Sequence, residues 1–323
     1  MLILVIFAGS IFIVHSTVFK LNSDAIDKKK PLFPSSSQCY VTHSPILIES
    51  DVDFGSYNLS GAGTRESPYL IEGYNITSHG ALSVGIEISN TNAFFVINSC
   101  IIYADYMGVL LGSVASGSSK VIKNRIISLT GDGGGITLRD MQNCTLSDNI
   151  CNNFMAGIHL NYADECIIRD NTFYNINYQG INIRYSDSNS ITNNRIINAK
   201  EHGIALVGTS SNNIIHHNIL EGNTWSDTYN IDDTPKGSPS SQGYDEGSQN
   251  IWYDNENKHG NMWSDYFGVG HYQIDGPSNA VDLYPSHTTG LTLFSIIISV
   301  ASITIGIVGA LLIYRFYFKK RKN

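Results

Sequence analysis

The chain has 323 residues, of which 42% are hydrophobic and only 15% charged, with a formal net charge of −8. That length and apolar content can bury one sizeable core, and the acidic balance argues against nucleic acid and against broad attraction to anionic polymers. Five methionines and five cysteines fall in no closely spaced motif, so nothing points to a soft-metal site.

In chain order, residues 1–19 are an apolar run of signal-sequence length ending past Val14-His15-Ser16. No lysine precedes the run, so a cleaved signal peptide and an uncleaved N-terminal anchor both stay open. Residues 20–38, with Lys28 to Lys30 and the PLFPSSSQ run, read as an exposed linker, and ordered structure is expected from residue 39 to residue 285.

Between Gly135 and Leu220 one pattern is written four times: GITLRDMQNCTLSDNIC, GIHLNYADECIIRDNTF, GINIRYSDSNSITNNRI and GIALVGTSSNNIIHHNIL. A unit of about 22 residues is too short for two helices and suffices for one coil of a β-solenoid. Within each unit the apolar residues alternate with others, as in Ile136 and Leu138 or Ile181 and Ile183, so one strand face points inward. Aligning the units predicts a structural ladder of Asn98, Asn124, Asn149, Asn171, Asn194 and Asn218, with steps of 26, 25, 22, 23 and 24. Asn tolerates the left-handed bend between short strands, and its amide can bond the Asn above and below. Cys144 and Cys166 both fall five residues before an Asn on neighbouring coils. A disulfide is within reach there, but parallel side chains strain its dihedral, which favours stacked buried thiols.

The outward positions two and four residues after each repeat glycine gather a polar, partly basic face: Arg139, His159, Asn161, Tyr162, Asn182, Arg184 and Tyr185. Arginine forks and flat tyrosine rings suit an acidic glycan, and no acid pair lies among them. Asp148 and Asp170 stack on another face and read as solvated. The doublet His216-His217 is expected to point to opposite faces of a strand, so no metal site and no cofactor is expected. Residues 221–250 break the period and read as a loop insertion.

Two flanking motifs carry a family resemblance. Residues 46–76, ILIESDVDFGSYNLSGAGTRESPYLIEGYNI, resemble the N-terminal cap and first coil of exported archaeal right-handed parallel β-helix proteins. Residues 260–285, GNMWSDYFGVGHYQIDGPSNAVDLYP, resemble the closing motif of the NosD-type β-helix family. The resemblance implies an all-β fold, a single-stranded right-handed parallel β-helix, with carbohydrate-associated or cell-surface roles, and for NosD itself help in copper delivery. The Asp/Gly-rich, calcium-loop-like run often found inside the closing motif is here reduced to Phe267 to His271. Glu201-His202-Gly203-Ile204 resembles the His-Gly element of polygalacturonases, whose Asn-Thr-Asp and Asp-Asp elements are missing.

After a linker at 286–290, residues 291–314 form an uncharged apolar stretch of 24 residues, long enough to cross a bilayer as a helix. Arg315 and Lys319 to Lys322 follow in the tail 315–323; their charge places that tail in the cytoplasm and the β-helix outside the cell membrane, in a single-pass protein. Setting these five cations aside leaves a net charge of −13 on residues 1–314. The expectation is a membrane-anchored, non-enzymatic surface module that binds acidic glycans or other envelope polymers. A carbohydrate-active lyase or epimerase is the alternative, and a NosD-like metal-delivery accessory the third reading.

Overall fold

The computed structural model describes residues 39–223 and 241–287. The expected signal or anchor, the linker 20–38, part of the insertion, the stretch 291–314 and the basic tail lie outside the described residues. Among the described residues no helix is long and apolar enough to cross a membrane.

Each coil gives one short strand to each of three parallel sheets. Among the described residues sheet 1 has eight strands, from Ile46–Ile48 to Gly243–Asp245. Sheet 2 has seven, from Tyr69–Glu72 to Ile214–His216, and sheet 3 has ten, from Val41–His43 to Ser286–His287. The period-two alternation becomes burial directly: Ile181 and Ile183 are fully buried, whereas Asn182 between them is only half-buried. In-register pairing then stacks like on like. Sheet 1 runs Ile136, Ile158, Ile181, Ile204, sheet 2 runs Leu146, Ile168, Ile191, Ile215, and sheet 3 runs Cys151, Phe173, Ile196, Leu220. These columns form one continuous apolar core along the axis.

The repeat glycine is a matter of space rather than of backbone angle. A Cβ on Gly180 would lie 2.4 Å from Ile196 Cγ2 and 2.6 Å from the carbonyl oxygen of Gly203. Sheet 3 therefore packs against the repeat glycine near the start of each sheet 1 strand from Gly85 to Gly203, and only glycine admits that approach.

The asparagine ladder is present, with two corrections. Asn149 Nδ2 donates to Asn171 Oδ1 at 3.0 Å, Asn171 to Asn194 at 2.9 Å, Asn194 to Asn218 at 3.0 Å, and Asn218 to Asn261 at 2.9 Å. Asn98 is not a rung: it sits in the strand Phe95–Asn98 and donates to Glu72 Oε2, while the backbone amide of Cys100 takes the rung position by donating to Asn124 Oδ1. Nor do the rungs carry the left-handed bend. The residue before each rung does, in Ser99, Lys123, Asp148, Asp170, Asn193 and His217, all at positive φ. The bend turns the chain so that the following Asn points inward. A second column was not foreseen: past Cys144 and Cys166 the same position holds Asn189, Asn213 and Asn250, each amide bonded to the next at 3.0 Å. Cys144 and Cys166 are free buried thiols.

Residues 241–250 are not loop but coil. Gly243–Asp245 pairs with Ile204–Leu206 in sheet 1, and Ser286–His287 adds a strand where a linker was expected. The coil is hidden in the sequence because Asn250 follows Asn213 by 37 residues where Asn213 follows Asn189 by 24, and a turn at Asp254 to His259 then separates Asn250 from Asn261. Among the described residues, packed rings cover each end of the core. At one, the 3-10 helix Asp51–Tyr57 buries Phe54 against Tyr69, with ring centroids 4.6 Å apart. At the other, Trp263 stacks on Tyr272 at 4.0 Å. Buried Asp282 there accepts bonds from Trp263 Nε1 (3.0 Å) and from the amides of Asn261 (2.6 Å) and Tyr284 (3.0 Å).

Candidate ligand-binding face

Opposite its core side, sheet 1 carries two rows of residues set by the register, of which Thr137 and Ala205 are themselves buried. Thr137, His159, Asn182, Ala205 and Tyr244 pair in one row, and Arg139, Asn161, Arg184 and Val207 in the next. Arg139 and Arg184 are two strand spacings apart, about 9.6 Å, with Asn161 between them. Burial first, and then the positive charges of Arg139 and Arg184, hold the His159 imidazole below the ordinary value of 6.5. The face is thus positive through arginine while its histidine stays neutral near pH 7.

At the end of the rows Tyr162 and Tyr185 occupy left-handed positions, φ 54° and 47°, which swing their rings along the axis. The rings stack at 5.1 Å and 18°, and the Arg184 guanidinium lies 5.1 Å from the Tyr185 centroid. Gly208 holds the same place one coil on, where a Cβ would meet Tyr185 Cε1 at 2.4 Å, so its lack of a side chain leaves room for the ring. Tyr162 is 54% exposed. It also lines a shallow pocket with Ser116, Asp140, Gln142 and Asp164, which borders the arginine row with carboxylates. All seven expected face residues therefore share sheet 1 or the turn leaving it.

A second polar group adjoins the first row, and most of it was missed. Gln179 Nε2 donates to Glu201 Oε2 at 2.9 Å, and the Asn182 amide bonds Gln179 Oε1. His202 Nε2 lies 3.7 Å from Asp275 Oδ2, with its ring 5.1 Å from that of Tyr244. Burial and then Glu201 push the Tyr178 hydroxyl up to about 12; burial and then Glu246 do the same for Tyr244, also to about 12. Glu201 and His202 were singled out from the His-Gly element, but Asp275 is remote in sequence and Tyr244 belongs to the unrecognised coil. Asp148 and Asp170 stand at the turn from sheet 2 to sheet 3 and do not join this group. Asp170 pairs instead with Arg169 at 2.6 Å.

The doublet His216-His217 also departs from expectation. Because His217 adopts φ 59°, strand alternation stops between the two rings and their Nδ1 atoms face one another at 2.5 Å.

A family model described as right handed beta helix region matches residues 108–235. The solenoid is a right-handed parallel β-helix. No curated protein matches the chain. Among solved structures, the enzymatically active domain of tailspike protein 2 of bacteriophage CBA120 is similar at 10% identity and a TM-score of 0.31, over 80% of this chain and 48% of that one. Full-length tailspike protein 2 from the Escherichia coli O157:H7 bacteriophage CAB120 is similar at 12% identity and a TM-score of 0.27, over 80% of this chain and 43% of that one. This chain therefore spans less than half the length of either.

Proposed function

We propose that the outward face of sheet 1 binds an extended acidic glycan, and that the chain is a non-enzymatic surface module of the NosD-type branch, held to the cell membrane by residues 291–314 with the β-helix outside. The membrane placement rests on the uncharged stretch and the cations that follow it. The observation that carries the glycan reading is the row Arg139, Asn161, Arg184, whose two cations act on His159 in the adjoining row, with the exposed ring of Tyr162 beside them. Arginine bonds carboxylate or sulfate through two parallel donors, and a tyrosine face covers a sugar ring. The test is calorimetric titration with a uronate polymer, a sulfated glycan and a neutral glucan. Arg139→Ala and Arg184→Ala should each weaken acidic-glycan binding by about 1–3 kcal/mol without moving the melting temperature, and the loss should shrink as salt rises. Unchanged binding in the double variant overturns the reading.

The second reading, a carbohydrate-active enzyme, is favoured by one observation: Glu201, His202, Asp275 and Tyr178 gather beside Gln179 and Asn182 at the edge of the same row. A product assay on any glycan that binds, repeated with Glu201→Gln, separates the two. Turnover lost in that variant while binding persists would establish the enzyme.

A further inference from the structure

Away from sheet 1, at the corner between sheets 2 and 3, three side chains with metal-ligating atoms converge. His216 ends the strand Ile214–His216, and the left-handed turn at His217 aims the second imidazole back at the first, with the ring planes at 71°. The next coil supplies a carboxylate. Asp254 opens the inserted turn, which the backbone closes through Asp254 N to His259 O (2.6 Å) and the reverse bond (3.2 Å). Inside that turn Asp254 Oδ1 accepts from the amides of Glu256 and Asn257, and Oδ2 from Asn257 Nδ2 at 2.7 Å. A carboxylate offers about four acceptor directions, so one stays available. His259, at the far end of the turn, stacks on His217 at 5.2 Å and fixes that ring.

We propose that His216, His217 and Asp254 form a mononuclear site for a zinc-class divalent ion, with one coordination position left to water or a ligand. Their ligand atoms all lie within 4.8 Å of one another. Four ligands at about 2.0–2.1 Å around a tetrahedral ion stand about 3.4 Å apart, so small rotations of the three side chains suffice. Two facing Nδ1 atoms can share only one proton, and an ion placed between them satisfies both lone pairs. Two imidazoles with a single carboxylate select a borderline ion over calcium or magnesium, which take all-oxygen shells. The site is independent of the glycan reading, since it shares no residue with sheet 1.

The experiment uses the full chain, stripped with chelator and dialysed against Zn2+, with Co2+ absorption as a second readout. One Zn2+ per chain is expected, with a four-coordinate visible band for Co2+, and millimolar Ca2+ should not displace either. His216→Ala and Asp254→Ala should each weaken Zn2+ binding by about tenfold or more. His217→Asn should do the same with its backbone preserved, since Asn193 occupies the equivalent left-handed position one coil earlier. His79→Ala, at an exposed histidine elsewhere, should change nothing. The proposal is overturned if no stoichiometric Zn2+ binds, if Ca2+ displaces it, or if the His217→Asn and Asp254→Ala variants, folded and melting as the parent does in chelator, bind as the parent does.

Discussion

Asn171 shows how much one side chain can hold in this fold. Its Oδ1 accepts both the backbone and the side-chain amide of Asn149, and its Nδ2 donates to Leu146 O and to Asn194 Oδ1. Truncation leaves the buried Asn149 backbone amide without its acceptor and removes one bond each from Asn149 Nδ2, Leu146 O and Asn194 Oδ1, at about 1–3 kcal/mol for the stranded amide and about 1 kcal/mol for each bond, so Asn171→Ala should lower unfolding free energy by several kcal/mol in urea. Asn98→Ala, off the ladder and half-buried, should stay within about 0.5 kcal/mol. Equal losses would place Asn98 back on the ladder. His159 carries a pH signature. Its folded value is depressed, so below 6.5 the unfolded chain holds more protons and this group makes stability fall on acidification. A bound anion favours the imidazolium and reverses that preference. Acidic-glycan affinity should therefore rise as pH falls below 6.5, and His159→Gln should abolish the rise in titrations at several pH values.

Among the elements, the closing segment depends on Asp282. Burial raises its carboxyl above the ordinary 3.8 despite the bonds it accepts from Asn261, Trp263 and Tyr284. Between 3.8 and its folded value the folded state holds more protons, so here stability falls as pH rises. Asp282→Ala strands three donors. Hydrogen exchange should quicken across residues 260–287 while the coils from Val84 to Leu220 keep their protection, because a solenoid couples each coil mainly to its neighbours. Uniform loss of protection would refute that locality. The closing segment and the repeats were legible for different reasons. In the repeats Ile181 and its counterparts recur at one spacing, and strand alternation assigns them a face without any tertiary knowledge. Trp263 and Asp282 were visible only through resemblance, since nothing local says that an indole and a carboxylate so far apart will bond. Residues 241–250 do not read as coil because Asn250 stands 37 residues after Asn213, where the repeat step is 24, so no spacing links it to the column. Glu201 and Asp275 meet through the stacking of coils, a relation that no local spacing encodes.

At the scale of the whole molecule, burial sorts the five cysteines. Cys39 is exposed, and Cys100, Cys144, Cys151 and Cys166 are buried. Desolvation pushes the Cys100 thiol up to about 11 and Cys166 to about 12, and raises Cys144 and Cys151 well above the ordinary value. A thiol reagent should therefore titrate one group quickly in the native chain and five after denaturation, and fast reaction of a second would mean that the core opens. The same axial stacking gives the closed ends a further consequence. Every coil leaves three rows of amides and carbonyls for the next, and among the described residues the series ends on the plate of Trp263, Tyr272 and Asp282 at one end and the Phe54 helix at the other. Stripped of either lid, the stack has no intrinsic length. A second molecule could seat its first coil where the missing one belonged, and the protein would grow as a fibre.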